Sequence, residues 1–133
     1  MNQKIKFIFN MTENDITYKI RGAIYDVYSV LGPGLLESVY EEALVFELEQ
    51  RGLKVQRQVT VPIVYKGVTL KSELRADLIV EDQVIVEIKS VEEMKKVFSK
   101  QLLSYLRLTH KKLGLLVNFN TPDILKSIYR IIN

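Results

Sequence analysis

The sequence predicts an α/β fold with a central mixed β-sheet flanked by helices. Apolar residues recur at helical spacing in two early segments, and a capping-box pattern after residue 89 indicates a third helix. The segments between them are patterned like strands. The predicted order is helix, helix, strands, helix and strand, followed by an ambiguous tail. At 133 residues, 47% of them hydrophobic, the chain fits a single domain, residues 1–133, with its own core.

The beginning of the chain leaves two alternatives open. Residues 1–10 alternate apolar and polar side chains and could add an edge strand. Equally, they could be an extension before a true start at Met11, because Thr12 followed by acidic residues up to Asp15 is typical of a helix N-terminus.

Two helices are predicted next. The first should end at residues 32–34, a Gly-Pro-Gly run. The second should cover about residues 36–51 and end at Gly52. The apolar residues that define the first helix are Ile16, Ile20, Ala23, Ile24, Val27 and Leu31.

Three strand segments occupy the middle of the chain. Apolar residues alternate through residues 59–65, where Pro62 indicates an edge or a bulge. A Lys-Gly turn at residues 66–67 leads into a strand at residues 68–80, and a second turn leads into residues 83–89.

A third helix and a further strand are predicted beyond residue 89. Ser90 and Glu93 have the spacing of a capping box, which predicts a helix from there to about His110. Residues 113–119 are patterned like a strand, and residues 124–132 fit either a short helix or a last strand.

Two acidic residues in the predicted hairpin indicate a metal site. If residues 74–80 and 83–89 pair as antiparallel strands, Asp77 lies opposite Glu87, with Cβ atoms roughly 4.5 to 5.5 Å apart. Facing carboxylates repel unless a cation lies between them or one keeps a proton. The same register places Arg75 opposite Lys89, a like-charged pair that requires a bulge or an anionic ligand.

Lys89 adds a cation beside these two acids. Residues two apart on a strand share a face, so Lys89 projects with Glu87 and Asp77. A divalent ion beside an ammonium suits phosphodiester hydrolysis. An acid-x-Lys pattern can also be a solvated strand edge, but here both faces of the hairpin are otherwise apolar and should be covered. One face carries Leu78, Val80, Val84, Val86 and Ile88, and the other carries Ile79 and Ile85.

Composition limits the chemistry. The chain has no cysteine and a single histidine, His110, which excludes disulfides, thiolate zinc sites and His-rich sites. Oxygen ligands favour Mg²⁺ or Mn²⁺. The net charge of +3 permits nucleic-acid binding without demonstrating it. No apolar run approaches the ~20 residues of a membrane span and no signal peptide is recognisable, so we expect a cytoplasmic protein without a membrane partner.

A family resemblance adds to this interpretation. Residues 34–40, GLLESVY, resemble the signature of the GxxExxY proteins, which look like a branch of the PD-(D/E)xK nuclease superfamily. Further blocks resemble that family in the same order, over about residues 14–120. The resemblance implies a restriction-endonuclease-like core. These blocks are residues 32–34, 40–44, 77, 87–89 and 114–119.

The resemblance also implies roles for individual residues. Glu37, Asp77 and Glu87 would be metal ligands, and the main-chain carbonyl of Ile88 would complete the set. Lys89 would be the catalytic lysine.

The assignment of Glu37 rests on the resemblance alone. Periodicity does not distinguish it from Glu41 or Glu42. It could instead be an acid in the first helical turn that interacts favourably with the helix dipole. Gln101 and Tyr105 resemble the Q-x-x-x-Y pair of RecB-type nucleases and share a helix face, so they would face the same cleft.

Basic residues cluster around the third helix. Such a run is usually a solvated face, but in a nuclease it would hold phosphates near the metal and give salt-sensitive, largely sequence-independent binding. We therefore include Lys100 with Gln101 and Tyr105 as candidate substrate-binding residues. The cluster comprises Lys95, Lys96, Lys100, Arg107, Lys111 and Lys112.

The expected function is metal-dependent hydrolysis of phosphodiester bonds in DNA, with RNA as a further substrate class, using Mg²⁺ or Mn²⁺. The alternative is a catalytically inactive nuclease-like module that binds nucleic acid or a protein partner. The small size leaves room for a homodimer or for a subunit of a larger complex.

Overall fold

The computed structural model describes residues 11–133, so both alternatives for residues 1–10 lie outside the described residues. Within these residues, three α-helices and five strands form the fold, with a 3₁₀ turn before the last strand. The elements are α1 (Glu13–Leu31), α2 (Glu37–Gln50), β1 (Val55–Tyr65), β2 (Val68–Val80), β3 (Val84–Lys89), α3 (Lys96–Thr109), β4 (Leu113–Asn118), the 3₁₀ turn (Ile124–Ser127) and β5 (Ile128–Ile132).

The strands form one sheet in the order β1-β2-β3-β4-β5. Only β3 and β4 are parallel, because α3 carries the chain back across the sheet between them, and the other neighbours are antiparallel. This arrangement confirms the predicted α/β fold with a mixed sheet flanked by helices. No helix within residues 11–133 is long and apolar enough to cross a membrane.

The predicted start of α1 is confirmed in detail. The hydroxyl of Thr12 accepts a hydrogen bond from the backbone N–H of Asp15, and the Asp15 carboxylate accepts one from the Thr12 N–H at 3.0 Å. This reciprocal capping box satisfies N–H groups that the first helical turn leaves without partners. The helix ends at Leu31 and is capped by Gly32, whose φ of 68° favours glycine.

Each face of the sheet covers a separate apolar core, as the hairpin pattern predicts. Leu78, Val86 and Ile88 are buried with α1 and α2. Ile79 and Ile85 are buried with α3 on the other face. Because both faces of β3 are covered, any charged side chain on this strand must be accommodated in or beside a core.

Strand β1 forms one edge of the sheet, and its pairing with β2 shifts register between Pro62 and Val64. Both alternatives raised for Pro62, an edge position and a bulge, are thus found together. The edge strand tolerates proline because it needs no donor on its outer side.

Strand β2 rotates at Asp77. Leu78 is buried in the core of α1 and α2, whereas Ala76, two residues earlier, is buried in the core of α3. Residues two apart on a regular strand share a face, so the strand turns over between them. On β1, Gln58 lies between the residues paired with Ala76 and Leu78 and has a left-handed φ of 49°. The irregularity therefore affects both strands at the level of Asp77.

The predicted capping box at Ser90 and Glu93 is wrong, because α3 begins only at Lys96. The Ser90 hydroxyl donates instead to the carbonyl of Leu35 at 2.6 Å, and the Val91 N–H donates to Oδ1 of Asn118 at 3.1 Å. These long-range hydrogen bonds tie residues 90–91 to the segment before α2 and to the end of β4. Residues 124–132 are predicted as either a short helix or a last strand, and they contain a 3₁₀ turn followed by β5.

Candidate metal and nucleic-acid site

The predicted register of the β2–β3 hairpin is confirmed, but its ladder is short. The ladder consists of three pairs before the turn, which are Leu78 with Val86, Ile79 with Ile85 and Val80 with Val84. The ladder stops one pair before Asp77 and Glu87 because β2 rotates there. The expected opposition of Arg75 and Lys89 is wrong for the same reason, since the β2–β3 ladder does not extend beyond Leu78 and Val86 to reach them.

Asp77 and Glu87 lie side by side where the two strands separate. The backbone N–H of Asp77 donates to Glu87 Oε1 at 3.1 Å. The Ile88 N–H donates to Asp77 Oδ2 at 2.8 Å. Each acidic side chain therefore accepts from a backbone N–H of the neighbouring strand, at the level where ladder hydrogen bonds would otherwise continue.

Glu87 is a strongly perturbed acid. Its residue is only 7% exposed, and burial is the main reason why its pKa rises from 4.5 to about 9. The negative charge of Asp77 raises the pKa further, while Lys89 opposes the shift. Without a cation, the site therefore holds a proton on Glu87 at neutral pH. A retained proton is one of the two ways in which facing carboxylates avoid repulsion, and a bound cation is the other.

Lys89 lies at the end of β3 with its ammonium over an aromatic ring. Its Nζ is 4.5 Å from the ring centroid of Phe98 on α3. A cation at this distance from a ring face is attracted by the ring quadrupole. Sequence reasoning missed Phe98, and only its position nine residues after Lys89 at the start of a helix could have suggested it.

Glu37 occupies the first turn of α2, where it is exposed. It lines a small cavity of about 140 Å³ that also includes Asp77 and Ile88. Within residues 11–133, no three His, Cys, Asp or Glu side chains are gathered closely enough to hold a metal ion. The structure thus brings Asp77 and Glu87 together and places Glu37 at the same cavity without completing a three-acid cluster. The cavity is lined by Glu37, Ser38, Glu41, Gln58, Asp77 and Ile88.

Glu41 and Gln58 are polar residues of this cavity that sequence reasoning did not assign. Glu41 lies one helical turn after Glu37 but is only 8% exposed. Its Oε2 is 3.2 Å from Nη2 of Arg57, and its Oε1 accepts a hydrogen bond from Nε2 of Gln58. The same Gln58 nitrogen lies 3.4 Å from Asp77 Oδ1. Glu41 could have been identified from the sequence, because it lies four residues after Glu37 on the same helix. Nothing in the sequence pointed to Gln58.

Helix α3 brings Tyr105 to the acidic pair. Its hydroxyl accepts a hydrogen bond from Nε2 of Gln101 at 2.9 Å. Burial raises the pKa of Tyr105, and the charges of Glu87 and Asp77 raise it further. Gln101 is exposed beside it, so both residues border the site.

Lys100 is exposed on the same helix. Consecutive helical residues diverge by about 100° around the axis, so Lys100 leaves the face that carries Tyr105.

The oxygen donors of this region fit a hard divalent cation. Asp77 and Glu87 offer carboxylate oxygens, and the carbonyl of Ile88 belongs to the residue that donates to Asp77. A cation between the two acids would replace the proton that burial holds on Glu87. Mg²⁺ typically uses one or two protein carboxylates and completes its shell with water and phosphate oxygens, so a two-acid core suffices.

Comparisons with known proteins agree with the fold. A sequence profile of the PD-(D/E)XK nuclease superfamily matches residues 14–131. The crystal structure of SSO0001 is similar in fold, with a TM-score of 0.57 and 19% sequence identity, over 97% of this chain and 73% of that chain. No curated protein gives a significant sequence match.

Proposed function

Because this chain belongs to the PD-(D/E)XK nuclease superfamily, we propose that it is a divalent-metal-dependent nuclease that hydrolyses phosphodiester bonds, with DNA favoured over RNA. Residues 34–40 support a place in the GxxExxY branch. The observation that carries the proposal is the adjacent Asp77 and Glu87 pair at the point where β2 and β3 separate, with a Glu87 pKa of about 9. A buried acidic pair is unfavourable in a purely structural role.

In this proposal, Asp77, Glu87 and the Ile88 carbonyl hold Mg²⁺ or Mn²⁺, and Glu37 contributes from α2. When bound, the ion polarises the phosphoryl group and lowers the pKa of a nearby water. The Lys89 ammonium, already positioned over Phe98, stabilises the negative charge that develops on the phosphate.

Helix α3 provides the substrate side of the proposed site. The Tyr105 hydroxyl can donate to a phosphate oxygen while Gln101 donates to that hydroxyl. Lys100 and the other basic residues around α3 attract the phosphate backbone without reading sequence. Mixed-sequence substrates therefore suit the assay. We propose that the protein acts alone, as a homodimer or as a subunit of a larger complex.

A cleavage assay tests the proposal. Single-stranded DNA, duplex DNA and RNA are incubated with the protein and Mg²⁺ or Mn²⁺, in parallel with chelator. We expect metal-dependent cleavage that falls by at least about 100-fold in Lys89→Ala, because transition-state charge loses its cation. Lys126→Ala is the matched control, since Lys126 is exposed near β5, and it should cleave like the native protein.

The outcome of this assay is decisive in both directions. Undiminished cleavage by Lys89→Ala would refute the role of Lys89. Cleavage insensitive to chelator would refute metal dependence.

One observation favours a second candidate, an inactive module that binds nucleic acid or a protein partner. The described part of the chain gathers no three-acid cluster of metal-binding geometry, and Glu37 is exposed. Absence of cleavage on all three substrates, combined with DNA binding that weakens steeply with salt, would support this alternative.

A further inference from the structure

Gln58 occupies an unusual place on the edge strand β1. It lies between Arg57, paired with Leu78, and Val59, paired with Ala76, so it is opposite Asp77. Its φ of 49° is in the left-handed region, which non-glycine residues rarely adopt. Such conformations persist where the surroundings require them, and they occur preferentially at functional sites.

The Gln58 side chain connects two carboxylates of different elements. Its Nε2 donates to Glu41 Oε1 of α2 and lies 3.4 Å from Asp77 Oδ1 of β2. An amide NH₂ has two donor hydrogens, so one side chain can serve both acids. Because Glu41 is buried and also paired with Arg57, it is a fixed anchor for this amide.

The Asp77 carboxylate is consequently held from two sides. The Ile88 N–H donates to Oδ2 at 2.8 Å, and the Gln58 amide approaches Oδ1. Two donors on different oxygens fix the plane of a carboxylate, whereas one leaves it free to turn. A ligating carboxylate that is hydrogen-bonded by surrounding groups binds a metal more tightly, typically by 10- to 100-fold.

We propose that Gln58, anchored by Glu41, is a positioning residue that fixes the orientation of the Asp77 carboxylate and thereby couples α2 to the acidic pair. The left-handed backbone of β1 is the device that aims this side chain into the cavity. The metal-binding consequence rests on the proposed function, whereas the orientation of Asp77 does not.

Hydrogen exchange tests the orientation directly, without metal. In Gln58→Met, which keeps the side-chain length but lacks the amide, we expect the Ile88 N–H to exchange at least about tenfold faster by NMR, because its acceptor is less constrained. The Val86 N–H, within the ladder, should be unchanged and shows that the hairpin is intact.

Two further variants control for the substitution itself. Gln56→Met changes the same residue type on the same strand, at an exposed position opposite Ile79 and outside the cavity, and should exchange like the native protein. Gln58→Asn suits a left-handed backbone but is one methylene shorter, so it should reproduce the effect of Gln58→Met. If Ile88 exchanges equally in Gln58→Met and Gln56→Met, the proposal is overturned.

Metal titration separates this inference from the proposed function. If the native protein binds Mn²⁺ in calorimetry and Asp77→Asn abolishes binding, Gln58→Met should weaken binding about tenfold and Gln56→Met should not. If the native protein binds no Mn²⁺, the proposed function fails, while the exchange result still decides whether Gln58 orients Asp77.

Discussion

At the scale of single residues, the site depends on side chains held by their neighbours. Glu87 is buried beside Asp77, Tyr105 receives a hydrogen bond from Gln101, and the Lys89 ammonium lies over Phe98. A lysine has a long, flexible side chain, so an aromatic partner reduces the freedom that it must lose in a reaction. We therefore expect Phe98 to determine where the Lys89 charge is placed.

Replacing Phe98 should release Lys89. Phe98→Leu keeps an apolar side chain but removes the ring, whereas Phe98→Tyr keeps the ring, and the cation–π attraction is worth about 0.5–2 kcal/mol. In ¹³C-edited NMR spectra, the upfield ring-current shift of the Lys89 methylene protons should disappear in Phe98→Leu and persist in Phe98→Tyr. Lys66, 5.5 Å from the Tyr65 ring, is an internal reference that should not change. Retention of the Lys89 shift in Phe98→Leu would contradict the expectation.

At the scale of elements, close packing of α3 on β4 positions Tyr105. Gly114 of β4 lies under Leu102 of α3, and a Cβ added at Gly114 would be 2.9 Å from a Leu102 methyl carbon. Leu102 is fully buried one helical turn before Leu106, which limits its movement. The glycine therefore sets the distance between the helix and the sheet.

Gly114→Ala should destabilise the protein by about 1–2 kcal/mol in urea denaturation, because the added methyl overpacks this contact. Gly22→Ala is the matched control. Gly22 is helical with nothing near its Cβ position, so the change should be stabilising by about 0.5–1 kcal/mol. In a Leu102→Ala background the cost of Gly114→Ala should vanish, and an equal cost in both backgrounds would exclude the Leu102 contact as its cause.

At the scale of the whole molecule, the buried acid links folding to proton uptake. Burial raises the Glu87 pKa from 4.5 in the unfolded chain to about 9 in the folded protein. The folded state keeps a proton that the unfolded state releases between these two values. This contribution to stability is therefore complete below about pH 4.5 and is lost as the pH rises towards 9.

Urea denaturation in chelator from pH 5 to 9 should detect this linkage. We expect native stability to decline relative to Glu87→Gln by up to about 1.4 kcal/mol per pH unit from this one group. Glu92→Gln, a change of an exposed acid close in sequence, should follow the native curve. If the acidic pair binds Mn²⁺ as proposed, saturating Mn²⁺ should offset the loss at pH 8, since the cation would replace the proton. Parallel curves for the native protein and Glu87→Gln would show that Glu87 ionises normally.

The sequence by itself determined the elements and the core of the site. Apolar periodicity located α1, and the glycines at residues 32, 34 and 52 marked the ends of α1 and α2. Period-two alternation assigned the two faces of β3 correctly, because these patterns are local. The turn spacing fixed the register that brings Asp77 to Glu87. The raised pKa of Glu87 means that one of the two facing acids keeps a proton, which is one of the two outcomes expected from the sequence.

Only the tertiary structure decided the surroundings of that pair. The late start of α3 follows from hydrogen bonds of Ser90 and Val91 to residues distant in sequence, which outweigh a local capping pattern. The rotation of β2 at Asp77, the left-handed Gln58 and the burial of Glu41 rather than Glu37 all lie where β1 meets α2. Such features depend on which side chains meet across elements, and a pattern along one chain does not contain that information.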